Sequence, residues 1–209
     1  KIFIEKPVFL KSKDFKRFLS ANDQVFVGFN RIFYKNIRFV KNRILKSKNV
    51  TINCFCPEFN KARIISNTSH IISILFFLFK KIKPIYKHKK TKSIFLRYDL
   101  LNNNVVNFMI NYKAIANFKI ELISDNFFIE LPSIEELKIY NKLKKTNYKN
   151  NNTYKLECSY SMSEYNFNDI KPGILFQMLE FKKFSQGKKI VNDLMFAQKV
   201  IEICEKIVK

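Results

Sequence analysis

The side chains best placed to do chemistry in this sequence are cations in runs. Tyr86, Lys87, His88, Lys89, Lys90, Lys92 and Arg97 fall within a dozen residues, beside Phe95 and Tyr98. A second group is Lys35, Asn36, Arg38, Lys41, Arg43, Lys46 and Lys48. Such groups neutralise phosphates and release counterions, and neighbouring aromatic rings stack on unpaired bases. That chemistry is binding without turnover. Catalytic constellations are missing from the sequence: it has no G-x-S-x-G, no H-E-x-x-H and no Walker-type loop. Glu130, Glu135 and Glu136 read as capping and solvated acids, and His88, set in a lysine run, reads as a further phosphate donor. The chain is therefore expected not to be an enzyme, and no cofactor is implied. Cys54-x-Cys56 lies in an alternating apolar stretch, with Cys158, Cys204, His70 and His88 far from it, so the thiols read as core and no metal is expected.

The whole chain repeats the theme of those runs. It has 209 residues, 39 Lys plus Arg against 17 Asp plus Glu, and a net charge of +22. A compact body with that charge repels itself unless a polyanion offsets it. With 3 glycines, the chain is poor in the residue that phosphate-binding loops need. Only Arg17, Arg31, Arg38, Arg43, Arg63 and Arg97 are arginines. The richness in Lys, Asn, Ile, Phe and Tyr follows A/T-rich codons, as in many organellar genomes. The chain starts at Lys1 rather than Met, and a true start upstream is expected.

These side chains need elements to hold them. Residues 1–25 read as a basic N-terminal arm with a short helix near Lys13–Ser20, and 23–34 as helix or strand. Val50, Ile52, Cys54 and Cys56 alternate, which predicts a strand over 49–56; Val106, Phe108, Ile110 and Tyr112 predict another. A buried helix is expected over 65–81, its apolar run Ile71–Phe79 being too short to span a bilayer. The segment 93–98 looks extended. Mixed spacing suggests a helix within 114–131, and Glu135–Glu136 early with Lys142, Lys144 and Lys145 late suggests one over 133–145. Strands are expected over 154–160 and 174–181, and a closing helix over 191–208. The order predicts an α+β fold: a largely antiparallel sheet covered by helices on one face, with a basic N-terminal arm (1–25), a core domain (26–185) and a C-terminal helix (186–209).

Two segments carry a family resemblance. Tyr34-Lys35-Asn36-Ile37, Val40, Ile44 and Asn49-Val50-Thr51-Ile52-Asn53 precede the helix, and Lys80–Ile94 (KKIKPIYKHKKTKSI) follows it. In this order they resemble large-subunit ribosomal protein number five, a family bound to the five-S ribosomal RNA in the central protuberance. Leu131-Pro132-Ser133-Ile134 and Gly173-Ile174 are similar to later family segments. The resemblance implies a first strand entered at Tyr34. It implies RNA contacts from Asn36, Arg38, Lys41, Arg43 and Asn53, and from Lys83, Lys87, Lys89, Lys90, Lys92, Ser93 and Arg97. It implies large-subunit rRNA, five-S rRNA included, and neighbouring ribosomal proteins as partners, with the loop near 95–104 facing P-site tRNA.

The sequence thus reads as a structural constituent of a mitochondrial large ribosomal subunit. Two alternatives stay open: another organellar ribosomal protein, or an accessory subunit of a respiratory-chain complex whose Ile71–Phe79 segment would meet lipid.

Overall fold

The computed structural model describes residues 1–80, 82, 84–148, 151–166 and 171–209. Its spine is an eight-stranded sheet whose strands follow from period-two burial. These are β3 (Thr51–Glu58), β4 (Pro84–Lys90), β5 (Ser93–Asp99), β6 (Val105–Tyr112), β7 (Lys119–Ser124), β8 (Phe127–Leu131), β9 (Glu136–Tyr148) and β10 (Asn151–Ser163). They lie in the order β10-β9-β8-β7-β3-β6-β5-β4. Every neighbouring pair is antiparallel except β3 with β6, which run parallel with Cys54 opposite Phe108. One sheet face buries Ile52, Cys54, Cys56, Leu96, Tyr98, Phe108, Leu122, Ile129 and Leu137. The helices α1 (Lys35–Ile44), α2 (Ser69–Phe79) and α4 (Leu194–Val208) add Ile37, Val40, Ile71, Leu75, Val200 and Cys204 to the same core. The fold is α+β with a mostly antiparallel sheet, as the sequence predicts.

A second, smaller sheet lies outside this spine. Strand β1 (Ile2–Glu5) pairs with β2 (Val25–Gly28) in parallel, joined by a 3-10 helix over Ser12–Ala21. Helix α3 (Ile174–Ser185) packs its phenylalanines on this pair: Phe181 sits edge-on to Phe3 and Phe26 at 5.6 Å. Residues 1–25 are thus woven into a sheet, and Ser12 is tied to Glu205 of α4 through its hydroxyl at 2.6 Å.

Four expected elements come out differently, each for a physical reason. Residues 119–131 are the hairpin β7–β8, turned at Asp125-Asn126, because Ile120, Leu122, Ile129 and Leu131 bury themselves two apart. Segment 136–148 is strand β9 instead of a helix. Leu137 and Ile139 face the core, and the lysines that resemble a helix-end charge pattern instead meet Glu157 across the ladder, from Lys142 and Lys144. Segment 174–185 is helix α3, not a strand, launched from Gly173 in the left-handed region (φ 78°). Residues 35–44, read as the approach to a strand, are helix α1, with Asn36, Ile37, Val40 and Ile44 buried at helical spacing. Ile71, Ile72, Ile74 and Leu75 of α2 are fully buried against protein, which overturns the lipid-facing alternative for that segment. The stretch Lys61–Phe79 passes for a membrane span by length and composition, yet half of it is inside the molecule.

Candidate functional site

Parallel strands gather functional groups at their carboxyl ends, where chains leave the sheet together. Here β1 ends at Glu5-Lys6 and β2 at Gly28, followed by the 3-10 turn Asn30–Phe33. Lys6 leaves β1 and donates to the Ser66 carbonyl at 2.5 Å, just ahead of α2. His70 is the second residue of α2. The chain before α2 is anchored by the buried Glu58, which accepts from the Thr68 hydroxyl and from Asn67 Nδ2 at 3.2 Å. Arg31 lies over the Phe118 ring at 5.3 Å, beside Tyr34, whose hydroxyl donates to Glu135 at 3.4 Å.

Helix α3 closes the cluster. Gly173 abuts the Asn30 carbonyl and the Tyr34 ring so closely that an added Cβ would lie 2.6 and 2.7 Å from them. Asn30 Nδ2 donates to the Pro172 carbonyl at 3.2 Å. Residues 173, 177 and 181 share a helix face, and Phe181 rests on Phe3 and Phe26. Gln177 lies between residues 173 and 181 on that helix face. It is fully buried, and neither of its amide atoms has a partner among the described residues. Arg31 Nη1 and His70 Nδ1 are likewise buried and unpartnered there. Buried polar atoms are nearly always paired in folded proteins, so these orphans are candidate places for a ligand or an ordered water.

Electrostatics point the same way. Burial, and then the charge of Arg31, lower the Lys6 ammonium from its ordinary 10.5 to about 8. Burial, with Lys6, Arg31 and Lys171 adding repulsion, lowers His70 from 6.5 to about 2, so its imidazole is neutral. Burial raises Tyr34 well above the usual phenol value, helped by Glu135. Lys6, His70 and Arg31 offer a partly deprotonated amine, a neutral imidazole and a guanidinium, which is equipment for holding hydroxyls and moving a proton.

The residues singled out from the sequence lie elsewhere. Asn36 is buried structure: its amide donates to the Ile134 carbonyl at 2.7 Å and its backbone N–H to Glu164 at 2.8 Å. Arg38 pairs with Glu180 at 3.7 Å, Lys41 lies over the Phe77 ring at 3.6 Å and Arg43 over Phe127 at 5.2 Å. Asn53 accepts from Asn107 at 3.0 Å on the outer sheet face. Lys87 and Lys89 donate to the carbonyls of Lys206 and Val208, at 2.5 and 2.8 Å, and so cap the negative end of α4. Lys90 and Lys92 are exposed, Ser93 pairs with Asn111 across β5–β6, and Arg97 meets Asp99 at 3.6 Å. Lys83 lies outside the described residues. Buried thiols at Cys54, Cys56 and Cys204 are pushed upward by burial, and Cys158 is exposed. Lys6, Arg31, His70 and Gln177 were no part of that selection. They are far apart in sequence, and no spacing links them.

No protein-family model and no curated protein matches the sequence. Solved structures do share its fold. A dehydrogenase from Clostridium difficile superposes with a TM-score of 0.72 at 16% identity, covering 100% of this chain and 70% of that one. Levoglucosan dehydrogenase in complex with NADH gives 0.70 at 13% identity, over 99% of this chain and 70% of its own. An NAD-binding oxidoreductase from Klebsiella pneumoniae gives 0.67 at 12%, over 98% and 70%. At such identities the likeness is one of fold. It overturns the resemblance to ribosomal protein number five. With it go the structural role in a large ribosomal subunit, the partners drawn from that role (rRNA, neighbouring ribosomal proteins and tRNA), and the expectation that the chain is not an enzyme.

The described residues do not themselves fit a nicotinamide dinucleotide. Its phosphates need a glycine turn at a helix start. Gly28 is covered by the Glu5 carboxylate, Gly173 is wedged against Asn30 and Tyr34, and Gly187 follows the end of α3. None of the three forms a cradle.

Proposed function

We propose that this chain forms the substrate-holding part of an oxidoreductase that acts on a sugar or other polyhydroxylated small molecule. The observation that carries this reading is the Lys6 amine, lowered to about 8 near Arg31 and His70, whose buried Nη1 and Nδ1 have no partner among the described residues. Oxidising a secondary alcohol passes a hydride from its carbon to an acceptor, such as a nicotinamide held outside this chain, and requires its hydroxyl proton to leave as the C–H bond breaks. An amine titrating near 8 is suited to that transfer, with roughly a tenth of it neutral at pH 7. His70, held neutral, can only accept or donate a hydrogen bond there. The dehydrogenases of like fold, one of them named for levoglucosan, support the same class of substrate.

The test is binding. Saturation-transfer NMR of the chain with levoglucosan, glucose and inositol is expected to show transfer to at least one of them. Lys6→Met should lose that transfer while keeping the parent's circular dichroism. No transfer to any polyol, or transfer unchanged in Lys6→Met, would overturn the reading.

A further inference from the structure

Strands β3 and β6 run parallel, with Glu58 opposite Tyr112 at their carboxyl ends. From there the chain leaves β3 toward α2 and leaves β6 toward β7. Connections that diverge beyond parallel strands open a crevice, and such crevices hold ligands. Here the crevice is a cavity of about 590 Å³, with residues 57–59 and Asn67 on one side and residues 113–118 on the other. That is the size of a small-molecule site. Its walls are mostly apolar: Pro57, Phe59, Ile115 and Phe118, with two alanines. Phe59 is 69% exposed and Ile115 fully exposed. Large apolar side chains grouped around one cavity in the open, rather than scattered singly, mark a surface that takes a ligand. The polar part of the wall is fixed, because the buried Glu58 accepts from Asn67 Nδ2 at 3.2 Å and from the Thr68 hydroxyl. The cavity adjoins the groups around Lys6 on both sides. Ser66, whose carbonyl accepts from Lys6, precedes Asn67 of the wall, and the Asn67 carbonyl accepts the His70 backbone N–H at 3.0 Å. Opposite, the Phe118 ring carries the Arg31 guanidinium at 5.3 Å.

We propose that this cavity holds an aryl group carried on the substrate, so that the molecule taken is an aryl glycoside rather than a free sugar. The proposal rests on the polyol reading above and adds an apolar half to the substrate. With the hydroxylated part at Lys6 and His70, the aryl ring falls to the walls made by Phe59, Ile115 and Phe118. A flat ring packs on phenylalanine and removes from water the apolar surface that these side chains now expose. A second sugar ring suits the cavity less well, because its hydroxyls would lose water against mostly apolar walls.

Calorimetry with methyl glucoside and phenyl glucoside separates the two statements. Phenyl glucoside is expected to bind about tenfold or more tighter than methyl glucoside, an advantage that rising salt leaves in place. Ile115→Ser and Phe59→Ser should each shrink that ratio by about threefold or more. Both residues are exposed, so both variants should keep the parent's circular dichroism. Lys6→Met should weaken both glucosides. Equal binding of the two glucosides, or a ratio untouched by both serine substitutions, would overturn the aryl site and leave the polyol reading standing. Tight binding of phenyl glucoside that Lys6→Met does not weaken would overturn the joining of the two halves in one substrate. Binding of neither glucoside would overturn both statements.

Discussion

The hairpin β4–β5 and the cluster at the ends of β1 and β2 are both basic, and they differ in what their charges do. On the hairpin, Lys87 and Lys89 reach the last carbonyls of α4, and Arg97 meets Asp99. Its charge is dense and exposed, and three of its cations are answered locally. Near the ends of β1 and β2, Lys6, Arg31 and Lys171 make no ion pair among the described residues, and Arg31 Nη1 and His70 Nδ1 are buried without a partner there. Density of charge therefore says little about a site, because solvent and helix ends absorb it cheaply. Charge and polarity left buried without partners say more, because the fold bears their cost.

Substitutions that damage one region and spare the other would sharpen this contrast. The largest effect is expected from Gly173→Val, which places a branched side chain at φ 78° and against the Asn30 carbonyl. A loss of about 3 kcal/mol in urea unfolding is expected, together with loss of ligand binding. Gly187→Ala, at φ 89° but in open space, should cost only about 1 kcal/mol and leave binding intact.

Next comes acid sensitivity. His70 stays neutral in the fold down to about 2, whereas an unfolded histidine takes a proton near 6.5. The unfolded chain thus binds more protons below 6.5, and stability falls as pH drops through that window, by at most about 1.4 kcal/mol per pH unit. His70→Leu should flatten the urea midpoint between pH 6.5 and pH 4; an unchanged slope would place His70 outside the cluster.

Lys6 acts at the alkaline end. Its amine titrates near 8 in the fold and near 10.5 unfolded, so keeping it charged penalises the native state below 8. That penalty is relieved as pH rises from 8 to 10.5, and stability should climb there in the parent relative to Lys6→Met. Equal profiles would contradict the cation cluster.

The smallest effect is expected on the hairpin. Lys87→Met with Lys89→Met should cost no more than about 1 kcal/mol, the value of helix-end charges at a wet surface. Ligand affinity should not move. A large loss of affinity would shift the site to the hairpin.

The sequence made the sheet centre legible, since Val50–Cys56 and Val106–Tyr112 alternate cleanly, as does the closing helix through its apolar stripe. It misled where local charge pattern and pairing disagreed. Glu135 to Lys145 has the polarity of a helix, but pairing with β8 and β10 decided it as a strand. Ile174–Ser185 has no clear apolar stripe, and Gly173 with its neighbours Asn30 and Tyr34, rather than periodicity, sets it as a helix. The site was invisible for a related reason. Lys6, Arg31, His70 and Gln177 come from four segments that only the parallel β1–β2 pair and the docking of α2 and α3 bring together. Each alone is an ordinary residue, whereas the conspicuous lysine run carries charges that the fold in part answers locally.

The most direct measurement concerns Gln177, through urea unfolding and saturation-transfer NMR of Gln177→Leu with levoglucosan, glucose and inositol. If the buried amide is held in reserve for a ligand, leucine removes an unpaired polar group. The variant should then be as stable as the parent or more so, by up to about 2 kcal/mol, while the transfer seen in the parent is lost. A variant that loses stability and keeps its affinity would contradict the account, because the amide would then be bonded within the fold and the cluster would be ordinary core.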